Sequence, residues 1–250
     1  MFIFLCLLLV SLSIQSAKAQ DLYFEYRVSW EFIFIGKIEI WKKEGQAVAY
    51  ARTTGLGAFI FPFKSLWRTE TNQAGEPVKT EIEVLERGHP KRKRIFFDRK
   101  NGCVIKEKIT FEKHRRDTFP ANFPLFDELT GFLAALTLNW DSPGQIYTLP
   151  IFAGKKTHFA RLLFKGQKEI KTFRGWERVL EIEVSLPFES ELIKRSQKIR
   201  VYLSMEGLPV VVEGDIRLGH LTAYLTRVST SGSAPPPPEA LLHSVLKAPD

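Results

Sequence analysis

Cysteine is nearly absent from this 250-residue chain: there are two, Cys6 in the first apolar run and Cys103 in the body of the protein. If the first is removed with a leader, Cys103 stands alone and no internal disulfide can form. Stability must then come from a core, which the length allows. Cys103 reads as a free buried thiol on a strand, because a nucleophilic cysteine wants a nearby His or helix N-terminus and nothing local supplies either. Catalytic signatures are missing as well. There is no G-x-S-x-G elbow, no H-E-x-x-H, no Cys/His pair at zinc spacing and no phosphate-cradling glycine loop. The five histidines, His89, His114, His158, His220 and His243, are scattered. These absences argue for a protein that is not an enzyme and needs no metal or cofactor. Glu213, Asp215 and His220, near one strand end, form the one polar cluster that catalysis could use, and only geometry can decide it.

Residues 1–19 have the layout of a secretory signal: an unbroken apolar run over 2–10, a Ser-rich stretch, then Ala17-Lys18-Ala19 with small residues where signal peptidase needs them. The run is shorter than the ~20 residues of a membrane span, so a cleaved signal and an exported, periplasmic protein are expected. Of 36 Lys and Arg, loss of Lys18 leaves 35 against 28 Asp and Glu, a mature net charge of +7 with His neutral. Such a chain favours anionic partners, including lipid headgroups and acidic envelope proteins. Nucleic acid is not expected, since no reader module surrounds the basic residues.

Period-two alternation dominates the chain. Leu22, Phe24, Tyr26, Val28 and Trp30 share one face, against Tyr23, Glu25, Arg27 and Ser29 on the other, which describes a half-buried strand. Further strands are expected over 37–43, 46–54, 64–71, 77–85, 94–98 and 103–113. Asn101-Gly102 is the strongest short turn signal. A second series covers 145–152, 158–165, 169–173, 176–186, 198–204, 208–213 and 220–228. Strand follows strand with no βαβ alternation.

One stretch breaks the pattern. Residues 126–139 (FDELTGFLAALTLN) read as a buried helix, with Asp127 as N-cap, Glu128 at the positive end of the dipole and Pro124 stopping the preceding strand. Leu129, Phe132, Leu133, Ala134, Ala135, Leu136 and Leu138 leave it little polar face, so it must be covered on several sides. The fold expected is therefore mainly β: a strongly curved antiparallel sheet or half-open barrel wrapped on one central helix, spanning 20–228.

Three segments bear on function. Residues 55–63 (GLGAFIFPF) form either a buried crossing or the mobile lip of a cavity carrying Phe59, Phe61 and Phe63. The basic run Arg87, His89, Lys91, Arg92, Lys93 and Arg94 is either solvated edge protection or a docking patch for an anionic membrane surface or acidic envelope protein. The Pro-rich linker and tail, 229–250, is either disordered or docked on this or another protein. Together they support a periplasmic carrier that holds an apolar or lipid-like ligand between sheet and helix, against Trp30, Phe59, Phe61, Phe63, Phe132, Leu133 and Leu136. The alternative is an envelope scaffolding protein without a small ligand.

Several segments resemble an uncharacterised family of bacterial exported β-rich proteins, a domain of unknown function. They are Tyr26-x-Val28-x-Trp30 with Ile35-Gly36, Ala51-x-Thr53-x-Gly55, the helix start Phe126-Asp127-Glu128-Leu129-Thr130, and Val201-Tyr202-Leu203-Ser204 followed by Leu208-Pro209-Val210 and Leu218-Gly219-His220-Leu221. The chain departs from the family at Gly131 and Ala134-Ala135, where bulkier residues or an Arg are common. The resemblance implies a curved sheet on a helix, an architecture similar to that of periplasmic lipoprotein carriers, and implies no established activity.

Overall fold

The computed structural model describes residues 21–188, 198–216, 219–230 and 233–242; the expected signal lies outside them. The alternating segments form strands β1 (Leu22–Trp30), β2 (Ile33–Lys43), β3 (Gln46–Thr53), β4 (Phe63–Thr71), β5 (Pro77–Glu86), β6 (His89–Asp98), β7 (Cys103–Ile109) and β8 (His114–Pro120). After an interruption follow β9 (Ile146–Ala153), β10 (Lys156–Thr172), β11 (Gly175–Ser185), β12 (Lys198–Ser204), β13 (Pro209–Ile216) and β14 (Gly219–Thr230). Two helices are described, α1 (Leu56–Ile60) and α2 (Glu128–Ala135).

All 14 strands belong to one antiparallel sheet in the order β8-β7-β6-β5-β4-β3-β2-β1-β14-β13-β12-β11-β10-β9. Chain neighbours other than β8 and β9 pair as hairpins. Strands β1 and β14, distant in sequence, also pair, which joins the two halves from Leu22↔Thr230 to Trp30↔Leu221. Strands β8 and β9 are the two edges, so the barrel does not close by hydrogen bonding. The segment between them crosses from one edge to the other and carries α2. There Phe126 forms a parallel bridge to Ile151, donating its N–H to the Pro150 carbonyl at 3.0 Å and accepting from Phe152 at 2.8 Å. The Phe119 and Phe152 rings, one from each edge strand, lie 5.9 Å apart, and Lys106 Nζ donates to the Gly154 carbonyl at 2.8 Å. Side chains and one inserted segment thus span the seam that the backbone leaves open. The exposed run His114, Arg115 and Arg116 keeps edge β8 from pairing with another chain. Register shifts at Glu25/Tyr26, Val28/Ser29 and Phe164/Gly166 add local twist and help the sheet curl.

Helix α2 covers 128–135, shorter than the 126–139 expected, because Phe126 is drawn into the bridge with β9 and Leu136 is already the C-cap. Its start is fixed by a capping box. Asp127 Oδ1 accepts from Thr130 N at 2.7 Å, and Thr130 Oγ1 accepts from Asp127 N at 3.1 Å. Below the helix, Leu125, Leu129 and Leu133 pack with Phe24, Tyr26, Trp67, Phe97, Val104 and Phe152 into the main core. Gly131 approaches β9 so closely that a Cβ there would overlap the Ile151 side chain.

Three other expectations are corrected. Residues 158–165 and 169–173 belong to one long strand, β10, that continues through the register shift at Phe164/Gly166. Residues 114–120, to which the alternation assigns no strand, form β8, since pairing with β7 overrides their polar composition. The described part of the tail, 233–242, is docked on the convex face. Trp41 Nε1 donates to the Pro235 carbonyl at 2.7 Å, Arg68 bonds the carbonyls of Pro238 and Glu239, and Leu241 N donates to Glu83 Oε2 at 2.6 Å. Through Ala234 and Leu241 this segment covers a separate apolar cluster of Tyr23, Trp41, Val48, Tyr50 and Leu66 on the side of the sheet read as wet, and Leu242 is buried as well.

Candidate functional site

The concave face is not filled. Odd- and even-numbered strands run in opposite directions, so the turns β1–β2, β3–β4, β5–β6 and β13–β14 all fall at one end of the curled sheet. The main core occupies the other end. Between that core and those turns lies a cavity of about 880 Å³, half enclosed, with α2 forming its floor. A volume of this order lies within the ~300–1,000 Å³ typical of small-molecule sites.

One wall comes from the first half of the sheet: Tyr26, Val28, Ile38, Ala49, Ala51 and Ser65. The facing wall comes from the second half: Leu162, Ile182, Val184, Val201, Leu203 and Val212. The small side chains of β3 do more than let another element approach. Ala49 and Ala51 leave room that larger residues would occupy, and so help make the space hollow. Glu128, Leu129, Gly131, Phe132, Ala135 and Leu136 of the helix segment form the floor. Trp140, just beyond it, stacks edge-on against Tyr147 at 5.0 Å between ring centres. Its indole N–H is buried without a hydrogen-bond partner, and the residue lies on the cavity wall. A buried unpaired donor costs about 1–3 kcal/mol, so an acceptor on a bound molecule would be favoured there.

The floor is anchored by a buried carboxylate. Asp127 Oδ2 accepts from Thr80 Oγ1 at 2.5 Å, Thr69 Oγ1 at 2.6 Å and Trp67 Nε1 at 3.3 Å, while Oδ1 serves the helix cap. Thr69 and Thr80 face each other across β4 and β5. The helix therefore grips the first half of the sheet through one side chain, and Gly131 seats it against β9 on the other.

Of the sequence-derived contact residues, Trp30, Phe61, Phe63, Phe132 and Leu136 line the cavity. Leu133 does not, being buried in the core beneath. Phe59 does not line it either: it is 87% exposed on the outer side of α1. Segment 55–63 is therefore a lip rather than a buried crossing. Its short helix lies on β2, where a Cβ at Gly57 would collide with the Ile35 carbonyl.

The basic run splits by strand parity. Arg87 lines the cavity at the β5–β6 turn, with its guanidinium 4.9 Å from the centre of the Phe61 ring. Lys91 and Lys93 stand opposite Val84 and Ile82, on the concave face by alternation. Arg92 and Arg94 face the other way, Arg92 paired with Glu83 at 2.7 Å and Arg94 with Glu81 at 3.4 Å. The five residues do not make one patch.

Glu213, Asp215 and His220 do meet. His220 Nδ1 lies 2.7 Å from Asp215 Oδ1, and Tyr202 donates to Glu213 Oε2 at 2.9 Å. Burial and the Glu213 carboxylate hold the Tyr202 hydroxyl neutral well above the usual tyrosine range. Arg200 lies 3.6 Å from both carboxylates. Their strand neighbours Val212 and Gly214 line the cavity, so this network is on the convex side, away from it. Among the described residues, no group of three or more His, Cys, Asp and Glu is placed to hold a metal ion. No described helix is long and apolar enough to cross a membrane.

The wall from β10 to β13 was not singled out in the sequence. Its alternation is that of an ordinary filled core, and no local signal marks Leu162 or Val201 as facing a void.

Among solved structures, the chain is similar to a beta-barrel-like protein of domain of unknown function DUF1849 from Brucella abortus. The TM-score is 0.56 at 8% identity, covering 84% of this chain and 98% of that one. At that identity the likeness concerns the fold alone. No curated protein matches. The family of proteins of unknown function DUF3108 matches over residues 25–226, from within β1 to within β14 and including both helices. The chain belongs to the DUF3108 family.

Proposed function

We propose that this protein is an exported, periplasmic, non-enzymatic carrier that holds an apolar or lipid-like molecule in the space above α2. The observation that carries the reading is the cavity of about 880 Å³, walled by both halves of the sheet and floored by an apolar helix. Each methylene withdrawn from water there contributes about 0.8 kcal/mol, so one long acyl chain is enough for tight binding. The walls are mostly apolar, and among the polar groups on the lining Arg87 at the open end and the unpaired Trp140 indole on the wall would orient such a ligand. The signal-like residues 1–19 support a place outside the cytoplasm.

Native mass spectrometry and solvent extraction of protein purified from the envelope test the reading. The expected result is a co-purifying amphiphile that is lost in Ala51→Phe, which fills the wall without touching the core. Protein free of any amphiphile, with no uptake of a fluorescent fatty acid, would overturn it and favour an envelope scaffold.

A further inference from the structure

The end of the molecule that carries the cavity mouth also carries the two most exposed large apolar side chains among the described residues. Phe32, at the tip of the β1–β2 turn, is 98% exposed, and Phe59 on α1 is 87% exposed. Ile33, Leu56 and Ile60 are exposed beside them. None of the five is drawn into an apolar cluster of the described core. Water alone gives no reason for two phenyl rings to project from neighbouring turns.

Cationic side chains accompany them. Arg27 places its guanidinium 4.4 Å from the Phe34 ring centre, and Arg87 lies similarly over Phe61. Lys64 is exposed at the start of β4, directly after the lip. The one carboxylate in the β1–β2 turn, Glu31, accepts from the His220 backbone N–H at 2.7 Å. Apolar tips flanked by cations fit the boundary between headgroups and acyl chains, where rings enter the apolar layer and guanidinium and ammonium groups stay with the phosphates.

We infer that this rim, Phe32, Ile33, Leu56, Phe59 and Ile60 with Arg27, Lys64 and Arg87, seats the mouth on the surface of an anionic lipid bilayer. The choice of a bilayer over a protein partner rests on the carrier reading. A mouth pressed into the headgroup layer lets an acyl chain move between bilayer and cavity without crossing water. The tips sit on separate turns around an opening, which suits a deformable surface.

Flotation of the purified protein with vesicles of phosphatidylethanolamine and phosphatidylglycerol, against vesicles of phosphatidylcholine alone, tests the inference. The wild type is expected to float with the anionic vesicles and largely not with the neutral ones. Because both rings are exposed, Phe32→Ser/Phe59→Ser leaves folding intact and is expected to lower partition by about tenfold or more. Phe32→Trp and Phe59→Trp should each shift emission to the blue on adding anionic vesicles. Wild-type protein that ignores both vesicles, a serine double variant that floats like wild type, or tryptophans blind to lipid would each overturn the inference. Fatty-acid uptake in vesicle-free solution separates the two readings: uptake without flotation sinks the rim alone, and flotation without uptake sinks the carrier alone.

Discussion

Asp127 does more for this fold than a helix cap usually does. Its carboxylate is 1% exposed and receives hydrogen bonds from three side chains of the sheet as well as from the first turn of α2. Asp127→Ala removes the cap, worth about 1 kcal/mol, and strands buried donors at about 1–3 kcal/mol each. A loss of roughly 3 kcal/mol or more in urea unfolding is expected, with Asp127→Asn milder because the Thr69 and Thr80 hydroxyls can rotate to accept from the amide. Trp140 is the opposite case, a buried donor with no partner. Trp140→Phe is expected to leave stability within about 1 kcal/mol while weakening binding of fatty acids relative to alkanes, measured by fluorescence displacement. Equal weakening for both would assign the indole to packing alone.

At the scale of elements, the segment 233–242 acts as an outer strap. Tyr23, Trp41 and Leu66 lie on the convex face, where period-two reading assigns water, yet all are buried because the tail covers them. Ala234 and Leu241 pack on that cluster, and Leu242, which follows, is 1% exposed. Leu242→Ala is expected to cost about 2–3 kcal/mol and to lower the melting temperature by about 4–12 °C, read by calorimetry. An unchanged transition would mean that the strap is not held in solution. The lip and the floor differ in kind. α1 rests on β2 through one glycine and exposes its apolar side chains, whereas α2 is clamped at both sides. On the carrier reading, α1 rather than α2 is the element expected to move when a ligand enters.

For the molecule as a whole, the buried tyrosines set an upper pH limit. Burial and the neighbouring Glu39 and Glu25 carboxylates raise the Tyr23 hydroxyl above its ordinary value, and burial raises Tyr26 likewise. A raised folded-state pKa gives stability that is complete below the unfolded value of about 10 and is lost as pH climbs beyond it. Urea midpoints are thus expected to fall from about pH 10 upward, less steeply in Tyr23→Phe. On the acid side, Lys37 is the main influence lowering the Glu25 carboxyl, so its contribution is present above the usual carboxylate range and lost as pH falls below it.

Alternation along Leu22–Trp30 and its successors determined that the chain is a β protein interrupted by the helix α2, while the five-residue α1 was too short to be read. The polar start at Asp127 marked where that helix begins. Those features are local: side-chain period and capping act within a few residues and can be read from one segment. The same reading placed Trp30, Phe61, Phe63, Phe132 and Leu136 at a common apolar site, which the structure brings together. It could not tell Leu133, in the core, from Leu136, on the cavity, because both are apolar positions of one helix and only the distance to the opposite wall separates them. Nor could it tell Arg92 from Lys91, since which face is concave depends on how 14 strands curl together. Whether an apolar face is covered by side chains, by a distant tail or by nothing is a matter of volume between elements far apart in the chain. Tertiary structure alone decided that, leaving the space above α2 hollow and the convex face of Trp41 closed.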